Sequence, residues 1–149
     1  YKPEEEGVMI AYTSVYGNTK KAVMELAEQL KANGCPKVVV NDLARCDMAE
    51  AVEDAFRYSK LVLAASTYNN DVFPFMKTFI HHLTERNYQK RTIGLIENGS
   101  WAPMAAKVME SLLSGSKDLK ILEPIVTIRS ALSDESRKSL EALADALVK

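Results

Sequence analysis

With 149 residues, 47% of them hydrophobic and 26% charged, the chain has the length and composition of one globular domain around a single buried core. A formal net charge of −1 gives no reason to expect nucleic acid or an anionic membrane as partner. No apolar stretch reaches membrane-span length and no signal peptide is visible, so the cytoplasm is the default compartment. Cys35 and Cys46 stand far from C-x-x-C spacing and read as small, reduced, structural thiols.

Residues 1–7, Tyr-Lys-Pro-Glu-Glu-Glu-Gly, are polar and contain a proline. They read as a linker or tail, as at the edge of a domain cut from a longer polypeptide, with the folded domain running over 8–149. The apolar run Val8 to Tyr12 is the first expected strand. Val23, Leu26, Ala27 and Leu30 then carry the i, i+3, i+4, i+7 stripe of an amphipathic helix, which Gly34 can stop in a left-handed conformation. Val38 to Val40 is a short second strand, and Met48, Val52 and Ala55 mark a second helix. Leu61 to Ala65 is the third strand. Met76, Phe79, Ile80 and Leu83 stripe the third helix, with Pro74 fitted to its first turn. Thr92 to Ile96 is the fourth strand; Ala105, Val108, Met109 and Leu112 stripe the fourth helix, with Pro103 near its start. A fifth run, Ile121 to Ile128, is interrupted by Pro124. Ser133 before Asp134-Glu135 is an N-cap for a last helix striped by Leu140, Leu143, Ala144 and Leu147.

Strict alternation of strand and helix calls for a parallel sheet with helices on both faces. The first, third and fourth runs are apolar at both alternating sets of positions, as central strands are. The short second run and the proline-broken fifth suit the edges. The order 2-1-3-4-5 follows, with its ligand crevice at the carboxyl ends on either side of the switch point between strands one and three.

Three loops open there. Thr13-Ser14-Val15-Tyr16-Gly17-Asn18-Thr19 joins the first strand to the first helix. It brings hydroxyls, an asparagine and the N–H groups of Tyr16 and Gly17 to a helix start, where donors and a partial positive charge favour an anion. Without a Gly-Lys-Ser/Thr ending or a G-x-G-x-x-G spacing, it suits a monophosphate rather than a triphosphate or a dinucleotide. Gly17 allows close approach of the backbone.

This loop resembles the phosphate loop of flavodoxin-like proteins, with Tyr-Gly-Asn-Thr where many have Thr-Gly-Asn-Thr. Ser66-Thr67-Tyr68-Asn69-Asn70-Asp71-Val72-Phe73-Pro74 and Gly94-Leu95-Ile96-Glu97-Asn98-Gly99-Ser100-Trp101-Ala102-Pro103 resemble the two flavin-facing loops of the flavodoxin domain at the C-terminus of flavodiiron proteins. The resemblance runs from about Val8 to the last helix. It implies a flavodoxin-like three-layer α/β sandwich and FMN as cofactor. It also implies electron transfer from rubredoxin or a reductase to a di-iron site on a separate metallo-β-lactamase-like domain, often across a head-to-tail homodimer. On that reading Tyr68 and Trp101 flank the isoalloxazine ring. Asn69, Asn70 and the backbone near Gly99 and Ser100 match its pyrimidine edge and N5, Asn98 belongs to the same cofactor-binding loop, and Tyr16 covers the ribityl chain or the ring edge. With only Asp71 and Glu97 as nearby carboxylates, full reduction is expected to be easier than in acidic flavodoxins.

Two rivals stand beside this reading. A free-standing flavodoxin or an NAD(P)H-dependent flavin reductase shares the topology, although Tyr68 and Trp101 leave a nicotinamide little room on the ring. A signalling receiver would need acidic residues where Thr13-Ser14 and Ser66-Thr67 stand. His81 and His82 point about 100° apart on a helix and do not chelate one ion, so no metal is expected, and no side chain is assigned as acid, base or nucleophile.

Overall fold

The structure, a computed structural model, describes residues 3–13, 17–68, 71–72, 74–99, 104–129 and 132–148, and of residues 67, 68, 71 and 72 the backbone. Its strands are β1 (Glu5–Tyr12), β2 (Val38–Asp42), β3 (Tyr58–Tyr68), β4 (Asp71–Val72), β5 (Arg91–Asn98), β6 (Leu119–Ile121) and β7 (Val126–Ile128). Its helices are α1 (Asn18–Ala32), α2 (Met48–Arg57), α3 (Pro74–Glu85), α4 (Ala105–Leu113) and α5 (Asp134–Leu147). The sheet order is β2-β1-β3-β5-β6. All neighbours on that path are parallel, and β7 pairs with β5 farther along the same edge. β6 and β7 together fill the place of the expected fifth strand. Pro124, which has no N–H to donate, lies in the gap between them.

Side-chain alternation divides the apolar residues between two cores. Met9, Ala11, Leu61, Leu63, Ala65, Ile93 and Leu95 face α2, α3 and α4. Val8, Ile10, Tyr12, Val62, Ala64 and Ile96 face α1 and α5. Every expected stripe residue of α1, α3 and α5 is buried, whereas on α4 Val108 and Leu112 are half-buried and Ala106 and Leu113 lie deeper.

The helix ends follow local chemistry. Gly34 has φ +88°, and the N–H groups of Gly34 and Cys35 donate to Lys31 O and Leu30 O, which forms a Schellman stop after α1. Asp47 caps α2 by accepting from Ala49 N at 2.9 Å. Ser133 and Ser136 form a capping box at α5, with Asp134 and Glu135 in the first turn. Arg137 grips Glu25 through Nε and Nη2 at 3.1 to 3.3 Å, and Asn33 Nδ2 donates to Asp145 at 3.1 Å, so both ends of α5 are tied to α1, at its middle and at its C-terminus.

Several strand boundaries differ from expectation, two of them with a visible cause. β1 begins at Glu5 rather than Val8; Glu5 pairs with Tyr58, and an irregularity separates that pair from the regular register beginning at Val8. Gly7 sits in the irregularity, where a Cβ would lie 2.8 Å from Lys37 O. β3 runs on to Tyr68, so Ser66, Thr67 and Tyr68 belong to a strand and not to a loop. Ser66 pairs with Asn98 of β5, and the extension beyond it is held by β4, which pairs antiparallel through Thr67 with Val72 and Tyr68 with Asp71. Hydrogen bonding to a two-residue partner carries this segment, and it leaves no apolar alternation to read.

Candidate functional site

Three chain segments meet at the carboxyl ends of the central strands. Asn98, the last residue of β5, donates from Nδ2 to Thr19 Oγ1 at 3.2 Å. Thr19, in the first turn of α1, places the same oxygen 3.3 Å from Ser66 Oγ on β3. Thr19 is buried, and its hydroxyl has one proton, so that proton goes to Ser66 or to a ligand. The three residues lie 47 and 79 positions apart in sequence. They join the ends of β3, β5 and α1 by neutral hydrogen bonds.

Beside this triad stands Thr13. Its N–H donates to Ala64 O at 3.0 Å, which continues the β1–β3 ladder one residue past the end of β1. Its Oγ1 is buried with no hydrogen-bond partner among the described residues. A buried hydroxyl in that state costs about 1–3 kcal/mol, a cost that a ligand acceptor removes. Gly17, at φ +86°, enters α1 in the left-handed region, and no described heavy atom lies within 4 Å of where its Cβ would be. The result is an open cradle at the helix start.

The electrostatics point the same way. The first turn of α1 contains no acidic residue, and Lys20 and Lys21 are exposed there. Lysines at a helix N-terminus oppose the macrodipole. The contrast is α5, whose first turn carries Asp134 and Glu135. An external anion supplies at α1 what the sequence withholds. Thus the Thr13 hydroxyl, which has no partner among the described residues, the left-handed Gly17 and the cationic helix start fit a phosphate-bearing cofactor.

Glu97 precedes Asn98 and turns to the other side of the sheet. Its carboxylate is 9% exposed, accepts from Ala106 N at 3.1 Å through Oε1, and accepts from Thr127 Oγ1 at 2.7 Å through Oε2. On the β2 side, burial first and then Asp42, which accepts from its hydroxyl, push the Tyr12 phenol above its ordinary value. Burial, with Asp42, Asp47 and Glu50 adding to it, raises the Cys46 thiol, which makes it a poor nucleophile near neutrality.

Of the residues singled out in the sequence, Thr13, Gly17, Asn18, Thr19, Ser66, Asn98 and Gly99 gather at this one end of the sheet, and Thr67 and Tyr68 do so by their backbone. Ser14, Val15, Tyr16, Asn69, Asn70, Ser100 and Trp101 lie outside the described residues, as does Pro103. His81 is exposed and pairs with Glu85 at 3.6 Å, and His82 is half-buried on the same helix, away from the strand ends. The structural part of Glu97 is not visible in the spacing. Its one trace is an acid that ends an otherwise apolar run.

A flavodoxin-domain family model matches residues 9–127. A rubredoxin-oxygen oxidoreductase from Megalodesulfovibrio gigas is 22% identical over 108 residues, and the match covers 72% of this chain. The chain spans about a quarter of that relative's length, 27%. Among solved structures, the rubredoxin oxygen:oxidoreductase of Desulfovibrio gigas superposes with a TM-score of 0.86 at 21% identity, over 99% of this chain and 37% of that one. An oxidised flavodoxin 1 from Bacillus cereus superposes at 0.81 with 15% identity, over 97% of each chain. At these identities the structural likenesses establish the fold.

Proposed function

From the premise that this chain belongs to the flavodoxin domain family, we propose that it is the FMN-binding electron-transfer domain of a flavodiiron protein. The cofactor is FMN, which when bound supplies the one- and two-electron chemistry that no side chain here can perform. In the parent protein, a homodimer, electrons come from rubredoxin or a flavin or NAD(P)H reductase. They leave to a di-iron site on a metallo-β-lactamase-like domain that reduces oxygen or nitric oxide.

The observation that carries the reading is the buried hydroxyl of Thr13, without a partner among the described residues, beside the Asn98–Thr19–Ser66 triad. Thr13, Ser14, Val15, Tyr16, Gly17, Asn18 and Thr19 seat the phosphate. Ser66, Thr67, Tyr68, Asn69 and Asn70 line one side of the ring, and Asn98, Gly99, Ser100 and Trp101 the other. The protein's work is positional: donors fix the phosphate, flat side chains exclude water from the ring, and no side chain exchanges a proton with a substrate.

The test is a fluorescence titration of apo-protein with FMN, riboflavin and FAD. FMN is expected to bind tightest, and equal affinity for riboflavin would sink the phosphate assignment. Trp101→Ala should weaken FMN while the fold survives; global unfolding instead would make Trp101 a core residue. Anaerobic mixing of the FMN-loaded domain with reduced rubredoxin, and separately with NADH and NADPH, separates the relay from its rival. Direct reduction by a nicotinamide, with none by rubredoxin, would replace the relay with a flavin reductase.

A further inference from the structure

We propose that Asn98 is a positioning residue for the phosphate of the cofactor: from the end of β5 its side-chain amide roots a donor chain that runs through Thr19 and Ser66 and turns a hydroxyl proton outward to the phosphate. The inference rests on the FMN reading for the identity of the acceptor and on the hydrogen bonds of the protein alone for the direction of the chain.

The sheet sets the convergence. Ser66 of β3 and Asn98 of β5 are direct partners in the parallel register. Val62, Ala64 and Ile96, at the alternate positions before them, face the core under α1 and α5, so alternation turns the side chains of Ser66 and Asn98 to that same side. The first turn of α1 brings Thr19 Oγ1 there, 3.2 Å from Asn98 Nδ2 and 3.3 Å from Ser66 Oγ. Thr19 is 1% exposed, so its hydroxyl is governed by these neighbours rather than by bulk water.

The three groups then allow one direction. An amide nitrogen has only protons to give, and Asn98 Nδ2 donates to Thr19 Oγ1. The Thr19 proton is therefore not spent on Asn98. It goes to Ser66, whose own proton then points outward, or it points outward itself while Ser66 donates back to Thr19. In both arrangements one of the two hydroxyl protons is left for an external acceptor, and donation into Thr19 polarises its O–H bond and strengthens the outgoing donor. A serine at position 98 could accept from Thr19 and reverse the chain, which would draw both protons inward. The side chain of Asn98 is thus turned to α1, and it acts on the phosphate without touching it or placing a charge in the seat.

The experiment has an apo arm and a binding arm. In isotope-labelled apo-protein followed by NMR, the Asn98 side-chain amide proton should exchange with water about fivefold faster in Thr19→Val than in wild type, and Thr19→Ser, which keeps the hydroxyl, should restore most of the protection. In titrations, Asn98→Leu should weaken FMN about fivefold and riboflavin less than about twofold, because the lost hydrogen bond is felt only through the phosphate. Thr19→Val should weaken FMN by about tenfold or more, and adding Asn98→Leu to it should cost no further affinity, since the chain is already cut. In a Thr19→Ser background the loss on Asn98→Leu should return. Should Thr19→Val fail to fold, Thr19→Ala takes its place in both arms.

Additive losses in the double variant would make Asn98 a direct contact of the cofactor, and an equal loss of riboflavin would make its role structural; either overturns the relay. Unchanged exchange of the Asn98 amide in Thr19→Val overturns the direction of the chain whether or not any flavin binds. Failure of wild type to bind FMN would overturn the proposed function and with it the destination of the relay, and the exchange arm would still decide its direction.

Discussion

Thr13→Val gives opposite signs for stability and binding. The Thr13 hydroxyl is buried without a partner among the described residues, whereas its backbone N–H is held by Ala64 O. Valine keeps the shape and the β-branch and removes only the polar atom. An unsatisfied buried hydroxyl costs about 1–3 kcal/mol, so its deletion should stabilise the apo-protein by about 1–2 kcal/mol once imperfect isosterism is discounted. In a domain of this size each kcal/mol shifts the melting temperature by roughly 2–4 °C, giving an increase of about 2–8 °C. On the proposed reading the same hydroxyl donates to the FMN phosphate, and its loss should then weaken FMN by roughly 5–30-fold. Riboflavin, which has no phosphate, should be unaffected. Calorimetry of apo-protein and parallel FMN and riboflavin titrations read all three quantities, with Thr13→Ser as the control that retains the hydroxyl. Destabilised apo-protein would show that the hydroxyl is already satisfied within the fold, and undiminished FMN affinity would show that it faces no phosphate.

Arg91 fills the opposite end of the sheet, where its guanidinium donates to Tyr58 O at 3.0 Å and to Phe56 O and Gln89 O at 2.6 Å each, and lies 5.2 Å from the Tyr88 ring centre. Arg91→Met should strip the carbonyls after α2 of their donors at a cost of roughly 3 kcal/mol, read as a lower urea midpoint with FMN affinity per folded molecule unchanged. Gly7→Ala should cost about 1–3 kcal/mol in the same assay, since the Cβ would meet the Lys37 backbone oxygen at 2.8 Å and backbone cannot rotate away. Burial raises the phenols of Tyr88 and, with help from Asp42, of Tyr12 above 10.0. Folding therefore favours their neutral forms, and the stabilisation is whole below pH 10 and lost as pH climbs through the raised folded values. A base titration followed by tyrosinate absorbance should show a late phase coincident with unfolding, reduced in Tyr88→Phe; complete titration near pH 10 in folded protein would refute it.

The strand order was legible because burial on both faces leaves a mark at every position of a run. Val8 to Tyr12 and Leu61 to Ala65 are apolar throughout, and the structure places β1 and β3 at the centre with β2 and the β6–β7 edge outside them. Pro124 marked the break in the last strand for a reason the structure repeats, the missing N–H. The extension of β3 through Ser66-Thr67-Tyr68 was not legible. Its pairing with Asp71 and Val72 depends on backbone hydrogen bonds, which any sequence can make and which leave no periodicity. The early start of β1 was hidden likewise, because Glu5 and Glu6 are exposed and Gly7 is chosen for its lack of a side chain.

At the site the divide falls between groups that meet a ligand and groups that hold those groups. Thr13, Gly17, Thr19 and Asn98 stood out as candidates because donors and a permissive glycine at the end of a strand have few structural uses, and the structure gathers them at one end of the sheet. Glu97 did not, since a lone acid after Ile96 carries no spacing, and its partners Ala106 and Thr127 lie 9 and 30 residues away. Yet the second kind governs the first. Asn98 reaches Thr19 from a strand end held in register by β3 on one side and β7 on the other, and on the β7 side the Glu97–Thr127 pair adds a side-chain bond to that register. A neutral hydrogen bond such as Asn98 to Thr19 adds roughly 1 kcal/mol, while a carboxylate at a helix start with two donors adds more. The stronger, buried interaction therefore sits one residue behind the weaker one. This arrangement suits a phosphate seat that must hold no negative charge of its own to receive a dianion, because the Glu97 carboxylate is kept on the far face of the sheet and satisfied by α4 and Thr127.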